Sequence, residues 1–355
     1  MEVLPYPRNN QQSVPRLLDF ELADDDQSAK MVFESVLDGR IATFETGSFL
    51  SLHASGDVKH DICVSTAGGC TRRCTFCATV DSVLGFERLL SWSEIVHQVD
   101  IAVEQREDSG AERHIVGFMG NGEPPDNPDC ERAVYELMER PYDVKRIALS
   151  TIGENLRTLS RYAEAFGRER GLGAPVILHF SLHVADDYKR RRIIPGRKKI
   201  EDIVAVLDSY AEAAYDPISN PLPVHMNVVL MEDPVTGFSN ATIEDADKLS
   251  ELYHSDTRVS GTSAHRQLKL AAYNPIPGKP FMAPAMEVRR AFVARLAENG
   301  VPFYTFRGGG IEIDDKAARG GFACGQLRVT TAKVIERRAP EPLRKSHEAG
   351  EEKSQ

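Results

Sequence analysis

Between residues 29 and 61 the apolar positions fall into short runs with turn residues between them: Met31-Val32-Phe33, Ile41-Ala42-Thr43-Phe44 and Phe49-Leu50-Ser51-Leu52. Asp38-Gly39 parts the first two, and a glycine there supplies the positive φ of a tight hairpin turn. The pattern predicts a small β-meander. From Trp92 the period lengthens, and WSEIVHQVDIAVEQR repeats apolar residues at helical spacing, with Ser91 as its N-cap. Beyond it, short apolar runs and helical stretches alternate. Strands are expected at 115–119, 146–151, 176–182, 224–231, 267–273 and 301–306. Helices are expected at 131–140, 156–168, 200–215, 242–254 and 285–299, the last stopped by Gly300.

Strands alternating with helices imply an α/β chain with a parallel sheet and ligands at the carboxyl ends of its strands. Counting the strand that leads into the cysteine-rich loop near Cys70, six or more βα units predict a partial (βα)6 barrel. No internal repeat is evident. Residues 1–28, with Pro, Asn, Gln and the Asp24-Asp25-Asp26 run, read as a disordered arm. Residues 29–61 form a small N-terminal β-extension, 62–333 the barrel core, and the Pro- and charge-rich 334–355 a disordered tail.

A length of 355 residues leaves room for one large domain or two smaller ones. The 41% hydrophobic and 27% charged content is ordinary for a globular chain. No apolar run approaches the ~20 residues of a membrane span and no secretory leader precedes the first polar residues, so a cytoplasmic protein without a membrane partner is expected. Six cysteines in such a chain do not make a disulfide scaffold; clustered thiols read as metal ligands or catalysts. The net charge of −10 argues mildly against a nucleic-acid binder, although a local basic face can coexist with an acidic remainder.

Three of those cysteines, Cys70, Cys74 and Cys77, stand in a C-x3-C-x2-C array with Phe76 just before the last. Three thiolates on one short loop can hold three irons of a cubane and leave the fourth open to a small molecule. A zinc knuckle is the plain alternative, but it needs a fourth Cys or His at a matching spacing, and no second C-x-x-C pair is present. The array resembles the signature of the radical S-adenosylmethionine (SAM) superfamily. That resemblance implies a [4Fe-4S] cluster whose open iron binds the amino and carboxylate groups of SAM, which reduction splits into methionine and a 5′-deoxyadenosyl radical.

The strand ends hold side chains such a site needs. The Gly122-Glu123-Pro124 turn can offer backbone and a carboxylate to an amino group; the bland reading is an ordinary βα turn. Ser150 and Ser181-Leu182-His183 end strands where hydroxyl and imidazole groups can reach a ribose or carboxylate, though a lone strand-end histidine is more often structural. Asn274, in the rigid turn Asn274-Pro275-Ile276-Pro277-Gly278, can hydrogen-bond an adenine edge; alone it is only a turn.

Together these motifs occur in one order with Cys63-Val64-Ser65, Ser150-Thr151 and Ala323-Cys324-Gly325-Gln326-Leu327. They resemble the RlmN/Cfr radical SAM RNA methyltransferases over about residues 30 to 330. The resemblance implies that Cys324 takes a methyl from one SAM and that the radical from a second abstracts hydrogen from it. The S–CH2 radical then adds to an adenine carbon, C2 ahead of C8. Cys63 then forms a disulfide with Cys324 and releases the product. It further implies cofactor contacts at Gly122, Glu123, Ser150, Ser181, Leu182, His183 and Asn274, and metal ligation by Cys70, Cys74 and Cys77. The implied partners are RNA (ribosomal RNA or tRNA) and an external electron donor such as flavodoxin or ferredoxin. Cys130 matches no motif and reads as structural.

The chain departs from the family in three places. The glutamate carried by a Val-Glu-Thr-type strand falls at Ala42, with Glu45 nearby. A longer Gly- and Asp-rich stretch, 308–323, separates Arg307 from the Ala-Cys-Gly segment. The region before the core is shorter than the accessory domain that helps grip RNA. The 189–199 stretch places seven Lys and Arg in eleven residues and is a candidate phosphate surface, with Arg72 and Arg73 in support. A base would have to leave its stack to reach Cys324. Two other readings stay open: the same chemistry on a small molecule or peptide, and a cysteine-rich metal- or RNA-binding module without enzymatic activity.

Overall fold

The computed structural model describes residues 14–23, 27–52, 56–81, 85–255 and 266–305. One sheet of ten strands organises them: β1 (Arg16–Leu22), β2 (Ser28–Leu37), β3 (Arg40–Leu52), β4 (Val58–Cys63), β5 (Arg113–Phe118), β6 (Val144–Thr151), β7 (Val176–Ser181), β8 (Val224–Leu230), β9 (Arg266–Ala272) and β10 (Phe303–Thr305). Spatial order equals sequence order from β1 to β10. β1 to β4 pair antiparallel, and every neighbour from β4 to β10 pairs parallel. Parallel neighbours need crossovers. These are α1 (Trp92–Glu104), α2 (Asp129–Met138), α3 (Leu156–Phe166), α4 (Asp187–Ile193) with α5 (Ile200–Ala214), α6 (Ile243–His254) and α7 (Met286–Glu298).

Alternation along each strand divides the sheet into two faces. Ile62, Val116, Phe118, Ile147, Leu149, Leu178, Phe180, Met226, Val228, Leu268 and Leu270 pack with Ile95, Val99, Leu159, Ile203, Leu207 and Leu249 of the helices in one buried core. Their neighbours in sequence, among them Cys63, Arg146, Ser150, His179, Ser181, His225, Asn227 and Lys269, point to the opposite, inner face. Helix starts follow sequence: Ser91 and Glu94 form a capping box on α1, and Thr242 and Asp245 form another on α6.

Two expectations need correction. Residues 16–22, placed in a disordered arm, form β1, whose ladder to β2 satisfies its backbone and whose Arg16 pairs with Glu34 at 2.7 Å. The boundary expected at 61/62 would cut β4, because the N-terminal strands continue the core sheet rather than standing beside it. The short helix α4 was also not expected; it lies inside the basic stretch. Residues 1–13 and the tail at 334–355 lie outside the described residues.

Several histidines are buried in this frame. His60 lies against His114 and Ser48, and burial draws it down to about 3. Burial likewise lowers His183 to about 3 and His225 to about 2. In each the folded chain favours the neutral ring, so the unfolded chain binds more protons below the ordinary value of 6.5. Stability is full above pH 6.5 and is lost as pH falls toward the folded values. Between pH 6.5 and 5 each ring costs up to about 2 kcal/mol, at about 1.4 kcal/mol per pH unit. The urea midpoint is expected to drop clearly from pH 7 to pH 5, and less so in His60→Gln; a flat profile in wild type would contradict the buried neutral rings.

Candidate functional site

The chain leaves β4 at Cys63 and is fixed at once. Gln98 of α1, fully buried, accepts from Ser65 N–H at 2.8 Å and donates to its carbonyl at 2.9 Å. Ser65 Oγ donates to the carbonyl of Glu45 at 2.6 Å and accepts from Asn121 N–H at 3.0 Å. Asn127 Nδ2 donates to the carbonyls of Thr66 and Leu90 at 2.8 and 2.7 Å. These amides tie the stem of the cysteine loop to β3, α1 and the turn after β5. A side chain on Gly122 would run into Thr66, and its φ of +104° suits only glycine, so the loop and the Gly122-Glu123-Pro124 turn interlock.

Cys70, Cys74 and Cys77 follow on this loop. Thr75 N–H donates to the carbonyl of Ile193 at 2.9 Å, Cys77 N–H to that of Cys74 at 3.1 Å, and Tyr273 hydroxyl to that of Phe76 at 2.8 Å. Arg72 holds Asp126 through two bonds, at 2.8 and 2.6 Å, and so binds the loop to the next turn. Burial pushes the Cys70 thiol up to about 12 and Cys74 well above its ordinary value, and negative charge on the other loop cysteines adds to both. Cys70 and Cys74, whose ionisation burial opposes, fit a polycationic guest, which would reverse that balance. Among the described residues no three His, Cys, Asp or Glu stand at the spacing of a single ion. Cys70, Cys74 and Cys77 are three thiols on one loop with the spacing of a donor set that can hold three irons of a cubane.

The neighbouring strand ends supply the rest. Glu123 is buried and accepts from Thr151 hydroxyl and from Ile152 N–H at 3.1 Å; burial, against these bonds, raises its carboxyl to about 7. Ser150 and Ser181 face inward on β6 and β7, each half-buried. His183 sits in the left-handed region, φ 59°, a costly backbone for a non-glycine residue. Its Nδ1 accepts from Val229 N–H at 3.2 Å, and its ring meets Phe76 edge-on at 4.9 Å. Its imidazole therefore braces the aromatic residue of the cysteine loop. Asn274 follows β9 by two positions. Cys324 and the stretch 308–323 lie outside the described residues.

The fold and the cysteine loop are those of a known family. The radical SAM superfamily model matches residues 64–234. The dual-specificity RNA methyltransferase RlmN of Nitratidesulfovibrio vulgaris is 32% identical over 298 residues, 81% of this chain and 71% of that protein. The probable RlmN of Thermosipho melanesiensis is 32% identical over 323 residues, 89% of this chain and 80% of that one. The chain belongs to the RlmN family of radical SAM methyltransferases. A solved radical SAM methyltransferase from Sphaerobacter thermophilus superposes with a TM-score of 0.69 at 25% identity, covering 89% of this chain and 81% of that one. As a member, the protein is an enzyme that uses a [4Fe-4S] cluster and SAM; bound, they supply the radical that makes an unactivated carbon reactive.

Membership sharpens two placements. Ala42 packs in the helix-side core and approaches Gly68, so it cannot serve the inner face. Glu45, three residues on, points inward on the same side as Cys63: Gly47 pairs with Cys63 across β3 and β4, and Glu45 lies two positions along. Glu45 is fully buried and paired with buried Lys30 at 3.3 Å. Phe44-Glu45-Thr46 is the tripeptide of this strand that has the Val-Glu-Thr form.

The basic stretch is also redistributed. Lys189 is paired with Asp245 at 2.6 Å. Arg190 is buried and donates to the carbonyls of Ile152, Ser181 and Leu182, stapling the ends of β6 and β7. Arg191, Arg192, Arg197, Lys198 and Lys199 stay exposed. Arg192 and exposed Arg73 line a groove of about 550 Å³ with Lys279, Phe238 and Phe281. Among the described residues no helix is long and apolar enough to cross a membrane.

Removing one partner of the Lys30–Glu45 pair leaves a buried charge. Lys30→Met is expected to cost about 3–5 kcal/mol in urea denaturation, and adding Glu45→Leu should recover most of that loss. Equal stability of wild type and Lys30→Met would contradict the buried pair.

Proposed function

We propose that this methyltransferase modifies an adenine carbon in RNA, C2 ahead of C8, by way of a methylated Cys324. The observation that carries the reading is the placement of Cys63. It ends the first parallel strand, faces inward beside Glu45, and immediately precedes the loop of Cys70, Cys74 and Cys77. The RNA substrate comes from the named activity of the relatives, which are RNA methyltransferases.

In this reading Cys70, Cys74 and Cys77 hold the cluster. Gly122, Glu123, Ser150, Ser181, Leu182, His183 and Asn274 surround SAM: the serines and Asn274 as hydrogen-bonding groups, Leu182 and His183 through the backbone and ring that shape the strand end. Methylene passes from Cys324 to the electron-poor adenine carbon, which no simple displacement on SAM would methylate. Glu45 takes the proton that leaves that carbon, its charge held by Lys30 in the resting site. Cys63 then attacks the sulfur of Cys324, forming the disulfide as the carbon–sulfur bond breaks; the freed methylene carbon takes up the Cys63 proton to become methyl, and the one surplus electron of the adduct radical would return to the oxidised cluster held by Cys70, Cys74 and Cys77. The exposed 191–199 cations and Arg73 meet the phosphate backbone, and a low-potential flavodoxin or ferredoxin reduces the cluster.

Reconstituted, reduced enzyme is to be given methyl-labelled SAM and unmodified ribosomal RNA and tRNA without oxygen, and the digested nucleosides read by mass spectrometry. Labelled 2-methyladenosine is expected; labelled 8-methyladenosine would move the reaction to C8, and label confined to the protein would remove RNA as substrate. Cys324→Ala should abolish transfer while keeping about four irons per chain. Cys63→Ala should trap a protein–RNA adduct, and Cys74→Ala should lose the iron. Retained turnover in Cys324→Ala or Cys63→Ala would overturn the thiol assignment.

A further inference from the structure

The groove of about 550 Å³ beside the cysteine loop is lined by none of the residues assigned to SAM. Arg73 and Thr75, which flank Cys74 in the chain, belong to one wall. Arg192 and Lys279 belong to the others. Ile193, Phe238 and Phe281 also line it, and they pack in one apolar cluster with Cys74 and against Phe76 and Cys77. A partner seated in the groove is therefore parted from the thiols only by the loop itself and the apolar residues packed on Cys74.

The walls are built before any partner arrives. Thr75 N–H donates to the carbonyl of Ile193 at 2.9 Å. Glu232 and Met282 exchange two backbone bonds of 2.9 Å, which join the short hairpin at 232–239 to the Lys279 segment. Arg192 donates to the carbonyl of Thr236 at 3.3 Å and lies over the Phe238 ring at 5.3 Å, so its guanidinium is held at the groove. The lining carboxylate, Asp233, accepts from Val235 N–H at 2.9 Å and Thr236 hydroxyl at 2.6 Å within its own turn. Three cations, Arg73, Arg192 and Lys279, thus face one carboxylate that is already engaged.

Two features favour a protein over a nucleic-acid strand. Phe238 and Phe281 are 3% and 8% exposed, so neither ring offers a face on which a base could stack. The apolar residues left exposed are aliphatic: Pro195 and Pro280 line the groove, and Val235 and Met282 adjoin lining residues in the chain. An apolar centre ringed by charge is the anatomy of a protein interface, and a ring of one sign selects an acidic partner. Its modest extent suits the small, transient contacts of electron-transfer proteins.

We infer that this groove is the surface on which a small acidic electron-transfer protein docks to reduce the enzyme. One electron passes from the donor's reduced flavin or iron–sulfur group to the cluster held by Cys70, Cys74 and Cys77, and the donor leaves oxidised by one electron. This rests on the reading that a flavodoxin or ferredoxin is the reductant, and it gives that donor its surface. Arg73 and Arg192 also belong to the cations assigned to RNA, so donor and RNA occupy them in turn.

Calorimetric titration of oxidised flavodoxin into the full-length reconstituted enzyme reads docking without turnover. Wild-type affinity is expected to fall as salt rises, and the double variant Arg192→Glu, Lys279→Glu to bind about tenfold more weakly or worse. The double variant Arg197→Glu, Lys198→Glu changes the net charge equally but outside the groove, and should bind nearly as wild type does. Iron counts and thermal melts confirm that each variant is loaded and folded. In stopped flow without RNA, electron entry from reduced flavodoxin should slow by a similar factor in the groove variant, while light-driven reduction by a small deazaflavin stays at the wild-type rate. Unaltered flavodoxin binding in the folded groove variant, or an equal loss in the variant outside the groove, would overturn the site. Unaltered flavodoxin binding with lost RNA binding would give the groove to nucleic acid instead. Because neither readout contains RNA, the two proposals fail separately. Methylated adenosine with no groove effect would sink this one alone, and a groove effect without methylated adenosine would sink the other alone.

Discussion

The packing of one sheet face against the helices decides where everything else can lie. Most alternate residues of β4 to β9 are apolar and close onto α1, α2, α3, α5, α6 and α7, which releases the residues between them from any duty in the core. Burying each such side chain contributes on the order of 1.5–3 kcal/mol. The inner face can therefore carry Glu45, Lys30, Arg146, Lys269 and two histidines, groups whose burial opposes folding. A strand slip of one residue would exchange the two sets and destroy both the core and the site.

The cysteine loop has no regular structure of its own and borrows rigidity from buried amides. Gln98, Asn127 and Ser65 bind its stem, Arg72 fixes its middle to Asp126, and Tyr273 and His183 hold Phe76. Each bond is worth about 0.5–1.5 kcal/mol net, but they act on one short segment that arrives from four directions. A metal cluster asks for thiols held in place before it binds, and this convergence provides that at the end of β4.

Charge follows a different logic from packing. The chain is acidic overall at −10, yet Arg72, Arg73 and the 189–199 stretch put a local group of basic residues beside the cysteine loop. Some serve structure: Arg190 staples strand ends and Lys189 is spent on Asp245. Others face the inner barrel or the groove beside Arg73. The same residue types thus divide into braces and ligand contacts according to whether a carbonyl or carboxylate lies within reach.

The sequence by itself determined the alternation of elements, the cap of α1 and the cysteine array, because helical and strand periods and metal-ligand spacing are local. Motifs in order were enough to name the family, since each strand end contributes its own short signature. Only the tertiary structure decided what depends on pairing across the sheet. Residues 16–22 lie in a stretch rich in Pro, Asn, Gln and Asp, and become a strand because β2 offers an edge. Whether Ala42 or Glu45 serves the site turns on which face of β3 looks inward, and three residues of separation put them on opposite faces. Seven cations in eleven residues read as one surface until the fold buries Arg190 and pairs Lys189. His179 and His225 are 46 positions apart in sequence and share a hydrogen bond only because β7 and β8 lie side by side.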